Sequence, residues 1–429
     1  MKILSFPLGF ILSLFLAGCT SDEPVQAPVP DAQAKSTTIA EKIAPEQAAE
    51  IAEQAAASVD KPVSRSASRL ANVRNIEVLT GNQSRANAPD TLIYIVNYDN
   101  EKGYALISAY DIGTNVLAVI DSGHYPTDEE DTFEMFAYYI DAAKEYVDAK
   151  RLAHLSRGDF HGTIDPTIRP RPEEKTVIDT IYNVVVSPKL GDLQWGQDDP
   201  LNRYCPNGVV GCSPLSIAQA MAVIKPTQYI AYNFPNAPKA GEYIDWDLAW
   251  KHKKWNNTDY EANQMLSRLC RQIGQIASSE YRTNGTGTST KRNNKKDAVK
   301  FFFPNKKVEG YSDYDVWDVI SAIDKGIVIF SANLYINNVK QDAGHSWVGD
   351  GSWKYHIRYS RYERERGFYI DDNYGWVLKS EYDSADRYIH CNWGWDGNHD
   401  GYYLYEPFII RQTGKPDKHY KDIQYLSIQ

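Results

Sequence analysis

The amino-acid sequence predicts an α+β protein with two folded domains. The chain has 429 residues, more than a single hydrophobic core usually serves. A stretch rich in proline and glycine, residues 156–175, separates a shorter segment from a longer one. Both segments combine helical patterns with short strand patterns that suit antiparallel pairing, which is typical of the α+β class.

The N-terminus predicts export. Lys2 precedes an apolar run, Ile3 to Leu16, that is shorter than the about 20 residues of a membrane-spanning helix. The run ends in Leu-Ala-Gly-Cys, which resembles a bacterial lipobox, so residues 1–19 are predicted to be a lipoprotein signal peptide with Cys19 as the lipidated residue. Residues 20–38 have the composition of a disordered tether. We therefore expect an exported bacterial lipoprotein at the outer membrane or cell surface, with release on maturation as a further option.

Residues 39–155 are predicted to form a small α+β domain. An alanine-rich pattern with a proline near its start predicts its first helix, and a one-sided aromatic and aliphatic pattern predicts its second. Apolar runs rich in β-branched and aromatic residues predict three strands between them, the first two joined by a hairpin turn at 99–103. The predicted elements are helices 44–58 and 132–152 and strands 92–98, 104–109 and 116–120.

Residues 156–185 are predicted to be a linker that is open to proteolysis, and residues 186–429 a second, larger domain. In this domain helical patterns come first and strand patterns follow, which again indicates α+β. The predicted elements are a helix after Gly211, a helix over 315–325, and strands over 327–334, 347–349, 388–395 and 402–405.

Composition and cysteine spacing exclude several classes of function. The net charge is −10 and the isoelectric point about 5.5, so nucleic acid is not an expected partner, and contact with a membrane is expected only through the lipid at Cys19. No cysteine pair has zinc-finger spacing, and the acidic loop 396–400 lacks the full alternation of calcium ligands. We expect neither a metal nor a cofactor, which leaves one of four cysteines as a working thiol: Cys205, Cys212, Cys270 or Cys391.

Cys212 is the first candidate for that thiol. It follows Gly211 and precedes Pro214 and a nearly continuous apolar run, a pattern that predicts a buried helix starting at the cysteine. Unpaired N–H groups and the dipole at a helix N-terminus favour an anion and lower the pKa of a thiol. A buried structural cysteine explains this motif equally well when the motif is taken alone.

His345 and the segment after Cys391 supply further candidates. Gly344 precedes His345 at the start of a predicted strand, where an imidazole can face a cleft and, with a thiol, form the nucleophilic pair of acyl transfer. Asn392 could hold the imidazole in one tautomer, and Trp393 could shield that contact from water. The alternatives are a surface histidine and a strand with packing aromatic residues.

Two glutamines upstream of Cys212 are candidates for an oxyanion donor. Gln197 lies 15 residues before the cysteine, and its side-chain amide together with the Cys212 N–H would stabilise a tetrahedral intermediate. Gln194 is the competing choice, and a polar loop residue is the structural alternative.

The order Gln, Cys, His, Asn-Trp is that of papain-like peptidases. In detail the chain resembles the streptopain-like (C10) cysteine peptidases over about residues 185–405. The resemblance rests on Trp195-Gly196-Gln197, Pro200, Asn202, Gly211-Cys212, Ala218-Gln219, Gly344-His345, Asn392-Trp393-Gly394-Trp395 and Gly397.

The resemblance implies a papain-like two-lobed peptidase domain, with a helical part and an antiparallel sheet, that needs no metal. It implies that residues 39–155 are an inhibitory pro-domain and that activation cleaves the linker 156–185. The partners are then protein or peptide substrates and the chain's own pro-domain. The implied roles are nucleophile for Cys212, general base and acid for His345, oxyanion donor for Gln197, orienting group for Asn392 and shield for Trp393.

Two features depart from the family pattern. Ser213-Pro214 follow the cysteine, where the family more often has Val-Ala. The stretch from His345 to Asn392 is much longer than in streptopain and contains the charged run 358–366. Residues 351–388 are therefore an insertion that could line or cover the cleft and affect substrate preference.

Two other functions compete with a secreted zymogen endopeptidase. One is a Cys–His amidase that cleaves cell-wall peptides, a class that usually lacks a folded pro-domain of this size. The other is a catalytically inactive binding protein on the same fold, against which the joint presence of Gln197, Cys212, His345 and Asn392 argues.

Overall fold

The structure is a computed structural model of the whole chain. It describes most of the chain from residue 40 to the C-terminus. The described residues are 40–59, 72–81, 90–126, 134–156, 173–251, 253, 259–283, 287–337, 339–364, 377–409 and 418–429. The predicted signal peptide and tether lie outside them.

The N-terminal part contains two helices and four antiparallel strands. The predicted helices and the three predicted strands are present with boundaries shifted by a few residues at most, and one further strand, Val73–Thr80, was not predicted. Its half-exposed, mixed sequence gives no clear alternation, because it is an edge strand. The elements are α1 (Pro45–Val59), β1 (Val73–Thr80), β2 (Thr91–Tyr98), β3 (Tyr104–Ser108), β4 (Val116–Ile120) and α2 (Glu134–Ser156).

The C-terminal part carries most of its helices before its long strands, as predicted. The elements are β5 (Glu173–Val186), α3 (Cys212–Ile224), β6 (Tyr229–Ala231), β7 (Gly241–Tyr243), α4 (Trp246–Lys251), α5 (Tyr260–Ile276), β8 (Glu280–Tyr281), β9 (Thr288–Ser289), α6 (Arg292–Phe302), β10 (Val308–Asp313), α7 (Val316–Lys325), β11 (Ile327–Ile336), β12 (Val339–Arg364), β13 (Val377–Asn392), β14 (Gly401–Leu404), α8 (Glu406–Ile409) and β15 (Lys418–Ile428).

One antiparallel sheet joins the two parts. Its order is β1-β2-β3-β4-β14-β13-β12-β11-β15-β10, and β5 pairs with β12. The junction is the pair β4–β14, in which Ile120 lies opposite Gly401 and Ala118 opposite Tyr403. The N-terminal part is thus hydrogen-bonded, strand to strand, to the sheet of the larger domain.

Two hydrophobic cores lie in the described residues. One contains α1, α2 and the N-terminal strands together with side chains of β11 to β14, so it extends across the junction between the two parts. The other lies among α3, α5 and α6 and the opposite side chains of β11, β12 and β15. Helices packed against an antiparallel sheet confirm the predicted α+β class.

The second half of the predicted linker is not a linker. Residues 173–186 form β5, which runs antiparallel to β12 from Ser352 opposite Val186 to Arg364 opposite Glu173. Its sequence is rich in β-branched residues, which favour a strand, but its charged first residues and the nearby prolines obscured this signal. The first half, residues 157–172, lies outside the described residues.

The predicted insertion forms an antiparallel extension of the sheet. Residues 348–363 of β12 pair with β13 on one side, and residues 352–364 pair with β5 on the other. Its middle, residues 365–376, lies outside the described part of the chain. In the described part, no helix is long and apolar enough to cross a membrane.

Candidate active site

Cys212 is the first residue of α3, as predicted. Gly211 before it has φ +92°, and a Cβ there would lie 2.8 Å from the Thr288 side chain, so glycine is required by both conformation and space. The helix behind the cysteine is buried from Ser213 to Ala222. The thiol therefore lies at the N-terminus of a helix that is fixed in the core.

The other three described cysteines are buried and free, whereas Cys212 is partly exposed. Burial raises the pKa of the Cys205 thiol to about 11, and it also raises the pKa values of Cys270 and Cys391. Cys205 lies beside Tyr281 and Cys270, which fits a structural role. Among the described cysteines, only Cys212 combines access with a helix N-terminus.

His345 lies in β12 opposite Ala332 of β11, and its side chain is only 7% exposed. Its Nε2 lies 3.1 Å from the carbonyl oxygen of Trp393. A carbonyl can only accept, so Nε2 carries the hydrogen and Nδ1 carries the lone pair that a general base needs. The Trp347 ring lies nearly parallel to the imidazole at a centroid distance of 6.0 Å.

The imidazole is a weak base in this environment. Burial is the main cause and lowers the pKa of His345 to about 4, and the charge of Lys295 lowers it further. The Trp393 carbonyl and Glu134 act in the opposite direction but do not offset burial. His345 is therefore neutral at physiological pH in the full chain.

The structure brings Cys212 and His345 together. Both line one cavity of about 290 Å³. The Cys212 Sγ lies 4.0 Å from the carbonyl oxygen of Gly344, the residue that precedes His345. The N-terminus of α3 and the start of β12 thus form two walls of the same site.

Asn392 does not take the predicted orienting position. Its Oδ1 accepts hydrogen bonds from Gln219 Nε2 at 2.7 Å and from the Gly394 N–H at 3.2 Å, and its Nδ2 donates to the Leu193 carbonyl. Gln219 is a buried polar residue of α3, and Asn392 satisfies its amide. The contact to His345 comes instead from the main chain of the next residue, Trp393.

The Trp393 indole is fully buried and lies close to the His345 ring. Its Nε1 donates to the His399 carbonyl at 3.0 Å, its main-chain N–H donates to Asp400 Oδ1 at 2.8 Å, and its ring lies 6.4 Å from that of His345. The Trp395 ring lies at a similar centroid distance from the His345 ring.

Gln197 lies on the loop next to Cys212. Its carbonyl accepts a hydrogen bond from the Val210 N–H at 2.9 Å, two residues before the cysteine, and its side chain is half-buried. The side chain of Gln194 instead packs at the Gly397 turn, where an added Cβ would lie 2.5 Å from it. The main chain of Gln197 is thus bonded to the segment that leads into Cys212, whereas the side chain of Gln194 is packed at a different turn.

Lys295 is a residue of the site that the sequence analysis missed. It is 2% exposed, it lines the same cavity as Cys212 and His345, and its charge interacts with both of their side chains. It occurs in a run of basic and polar residues that is typical of a solvated surface.

No group of three or more histidine, cysteine or acidic side chains in the described residues is arranged to hold a metal ion. The acidic turn is used by the protein itself, since Asp400 caps the Trp393 N–H and Asp396 lies against Gly196. Burial raises the pKa of Asp396 to about 6.

A thiol at the start of a buried helix, facing a histidine on an adjacent strand, defines the class of cysteine-dependent acyl-transfer enzymes. Residues 195–403 match the Peptidase C10 family, and residues 40–147 match the Spi protease inhibitor. The chain thus contains a C10 cysteine peptidase domain preceded by an inhibitor-like pro-domain, which confirms the predicted resemblance and enzyme class.

Two solved structures are similar. A fragment of prointerpain A from Prevotella intermedia is 17% identical, with a TM-score of 0.48 over 83% of this chain and 98% of that chain. Active wild-type interpain A cysteine protease from the same organism is 19% identical, with a TM-score of 0.37 over 56% of this chain and 94% of that chain. No curated protein matches the sequence.

Proposed function

We propose that the chain is an exported zymogen endopeptidase in which Cys212 is the nucleophile and His345 is the general base and acid. The observation that carries the assignment is the shared cavity, which an accessible thiol and an imidazole line together. His345 takes the thiol proton at Nδ1, and Cys212 Sγ attacks the carbonyl carbon of the scissile bond. The imidazolium then gives that proton to the leaving amine, and water hydrolyses the thioester.

In this proposal Gln197 and the Cys212 N–H bind the oxyanion of the tetrahedral intermediate. The loop of Gln197 is held beside Cys212 by the hydrogen bond to Val210, which supports the role. The Trp393 carbonyl fixes the His345 tautomer, and Asn392 supports this turn by its bonds to α3 and to Gly394.

The N-terminus of α2 accounts for latency. Tyr420 donates to Glu134 Oε2 at 2.9 Å and packs edge-on against Tyr138, with the ring centroids 5.9 Å apart. Glu134 is close enough to His345, and Tyr420 close enough to Cys212, to interact electrostatically. The start of α2 is therefore within electrostatic reach of both side chains, and in this proposal it hinders substrate binding until the pro-domain is removed.

A second contact, at His390, also holds the pro-domain to the larger domain. The buried His390 lies between Asp350 of its own domain, at 2.6 Å, and Asp121 of the pro-domain, at 2.8 Å. Burial alone would lower the pKa of His390, but the two carboxylates outweigh it and raise the pKa well above its usual range, so a buried imidazolium joins the two parts. The β4–β14 pairing runs beside this contact, and Asp121 directly follows β4.

Activation requires a cut between α2 and β5. The proposed position is within residues 157–172, which follow α2 and precede β5. Because β5 pairs with β12 along its length, it stays with the enzyme after such a cut. Anchoring of the precursor through Cys19 is supported by the N-terminal sequence alone.

Hydrolysis of a denatured protein by the processed chain tests the assignment. We expect Cys212→Ala to abolish hydrolysis and Cys205→Ala, which removes a buried thiol, to retain it. His345→Ala should also slow alkylation of Cys212 by iodoacetamide, mapped by mass spectrometry. Undiminished hydrolysis by Cys212→Ala would exclude Cys212 as the nucleophile.

A further inference from the structure

The cavity beside Cys212 has a basic lining. Asp342, the acidic side chain in this lining, is already paired with Arg282 at 2.5 Å, so its charge is offset. An excess of positive charge around a concave site favours an anionic ligand. Apart from the imidazole, the charged side chains that line the cavity are Lys291, Arg292, Lys295, Lys340 and Asp342.

Lys295 is the innermost of these cations. Its Nζ donates to Ser331 Oγ at 2.5 Å and to Ser346 Oγ at 2.8 Å. Among the described residues, no carboxylate lies within ion-pair distance of this ammonium group. The two serine bonds use two of its three hydrogens, and the centroid of the Tyr311 ring lies 6.0 Å from Nζ. Both serines are buried on adjacent strands, β11 and β12, and Ser346 directly follows His345.

A buried ammonium group without a counter-ion is unfavourable. Burial lowers the pKa of Lys295 to about 7, because an apolar environment disfavours the charged form of the amine. A methionine or leucine would fill the same position at less cost, because the two serine hydroxyls do not neutralise a charge. A carboxylate that enters the cavity would supply both the missing charge and an acceptor for the third hydrogen.

Arg292 cannot serve in the same way, because the protein already uses its guanidinium. It donates to Gln424 Oε1 at 2.7 Å and to the Asp422 carbonyl at 2.8 Å. Lys291 and Lys340 are exposed at the rim, where they add potential but are screened by solvent. Lys295 is therefore the group that a ligand inside the cavity would contact.

We propose that this cavity is a specificity subsite for an acidic substrate side chain close to the scissile bond, with Lys295 as its counter-charge. The inference rests on the proposed function, since it takes Cys212 to be the nucleophile that fixes where the scissile bond lies. Aspartate or glutamate fits the charge of the lining, and the preformed pair of serines holds the ammonium group in place to receive it.

A different role for Lys295 is stabilisation of the Cys212 thiolate, since the two charges interact. The two roles differ in what they predict. A thiolate role affects all substrates and the alkylation rate equally, whereas a subsite role changes the ratio between acidic and neutral substrates.

The test begins with the full chain processed to its active form. Cleavage sites in a denatured protein mixture, mapped by mass spectrometry, should be enriched in aspartate or glutamate at one position near the scissile bond. Peptides with Glu, Gln or Leu at that position then give kcat/KM ratios, and we expect Glu to exceed Gln by about tenfold or more.

Variants assign the preference to the residue. Lys295→Met should reverse the order so that Leu exceeds Glu, and Lys295→Arg should retain a preference for Glu. Lys300→Met, on the exposed face of the same helix, is the matched control and should keep the wild-type ratio. Because the wild-type cleavage profile needs no variant, misfolding of Lys295→Met would not remove the test.

Hydrolysis of neutral peptides with no acidic preference at any position would overturn the subsite and leave the proposed function standing. An equal loss for the Glu, Gln and Leu peptides in Lys295→Met, together with slower alkylation of Cys212, would also overturn it and indicate the thiolate role. If no peptide is cleaved and Cys212 is unreactive, the proposed function itself fails, and the subsite with it.

Discussion

In the full chain we expect His345 to be too weak a base to ionise Cys212 near neutral pH. The pKa of its imidazole is lowered from 6.5 to about 4, mainly by burial. A difference of about 2.5 units at about 1.36 kcal/mol each is about 3.4 kcal/mol. The thiolate–imidazolium pair is therefore about 300-fold rarer than it would be with an ordinary imidazole in the same position.

The assay is the rate of Cys212 alkylation by iodoacetamide between about pH 5 and about pH 9, followed by peptide mapping. In the full chain the rate should rise steadily with pH, as for an unassisted thiol, without a plateau on the acid side. In the proposed processing α2 is removed together with Glu134, which would expose the imidazole to water. The processed enzyme should then react at least about tenfold faster at pH 6, with the plateau that an ion pair produces.

Two controls accompany the alkylation assay. Cys205 is buried and its pKa is raised to about 11, so it should remain unlabelled in both forms and report on unfolding. His345→Ala in the processed enzyme should remove the acid-side plateau. A full chain that alkylates Cys212 at pH 6 as fast as the processed enzyme would show that latency does not depend on the buried neutral imidazole.

Two further predictions concern the oxyanion donor and the pro-domain contact. Gln197→Ala should lower kcat of the processed enzyme by about 100-fold or more, whereas Gln194→Ala should not, and a similar kcat for both variants would remove the oxyanion role. Asp121→Asn in the full chain weakens a charge-assisted hydrogen bond to His390 that is worth about 1–3 kcal/mol, so Cys212 alkylation should become about fivefold faster or more. Glu50→Gln makes the same chemical change on the exposed face of α1, and an equal effect there would mean that the Asp121 contact does not hold the pro-domain.

Short sequence patterns predicted correctly those helices and strands that are defined by their own residues and the residues that flank them. β4 has the predicted boundaries, Val116–Ile120, because a five-residue apolar run rich in β-branched residues is too short for a helix and suits a buried strand. Helix α7 begins after Asp315, whose carboxylate caps the first turn, and stops before Gly326, and both signals are visible in the sequence. Cys212 was placed at the start of a helix by the same kind of signal.

Features that depend on distant partners were not predictable in this way. β5 is charged and lies next to prolines, and it becomes a strand because β12 is long enough to pair with it. The contacts of Asn392 depend on Gln219, which lies 173 residues earlier in the chain. No local pattern specifies which of several possible acceptors satisfies a buried amide.

Lys295 is a different case, because its burial has a signal in the sequence. The buried residues of α6 are Lys295, Ala298, Val299 and Phe302, at helical positions i, i+3, i+4 and i+7. A lysine at the first position of an apolar stripe points into the core, whereas Lys296 and Lys300 do not belong to that stripe. The basic composition of the segment indicates a surface, but the period assigns this one lysine to the interior. The helical period buries the charge of Lys295, and no carboxylate of the described residues offsets it. Such a charge contributes little to stability, so ligand binding explains its presence better. In the proposed function, the ligand nearest to Lys295 is the substrate that reacts at Cys212.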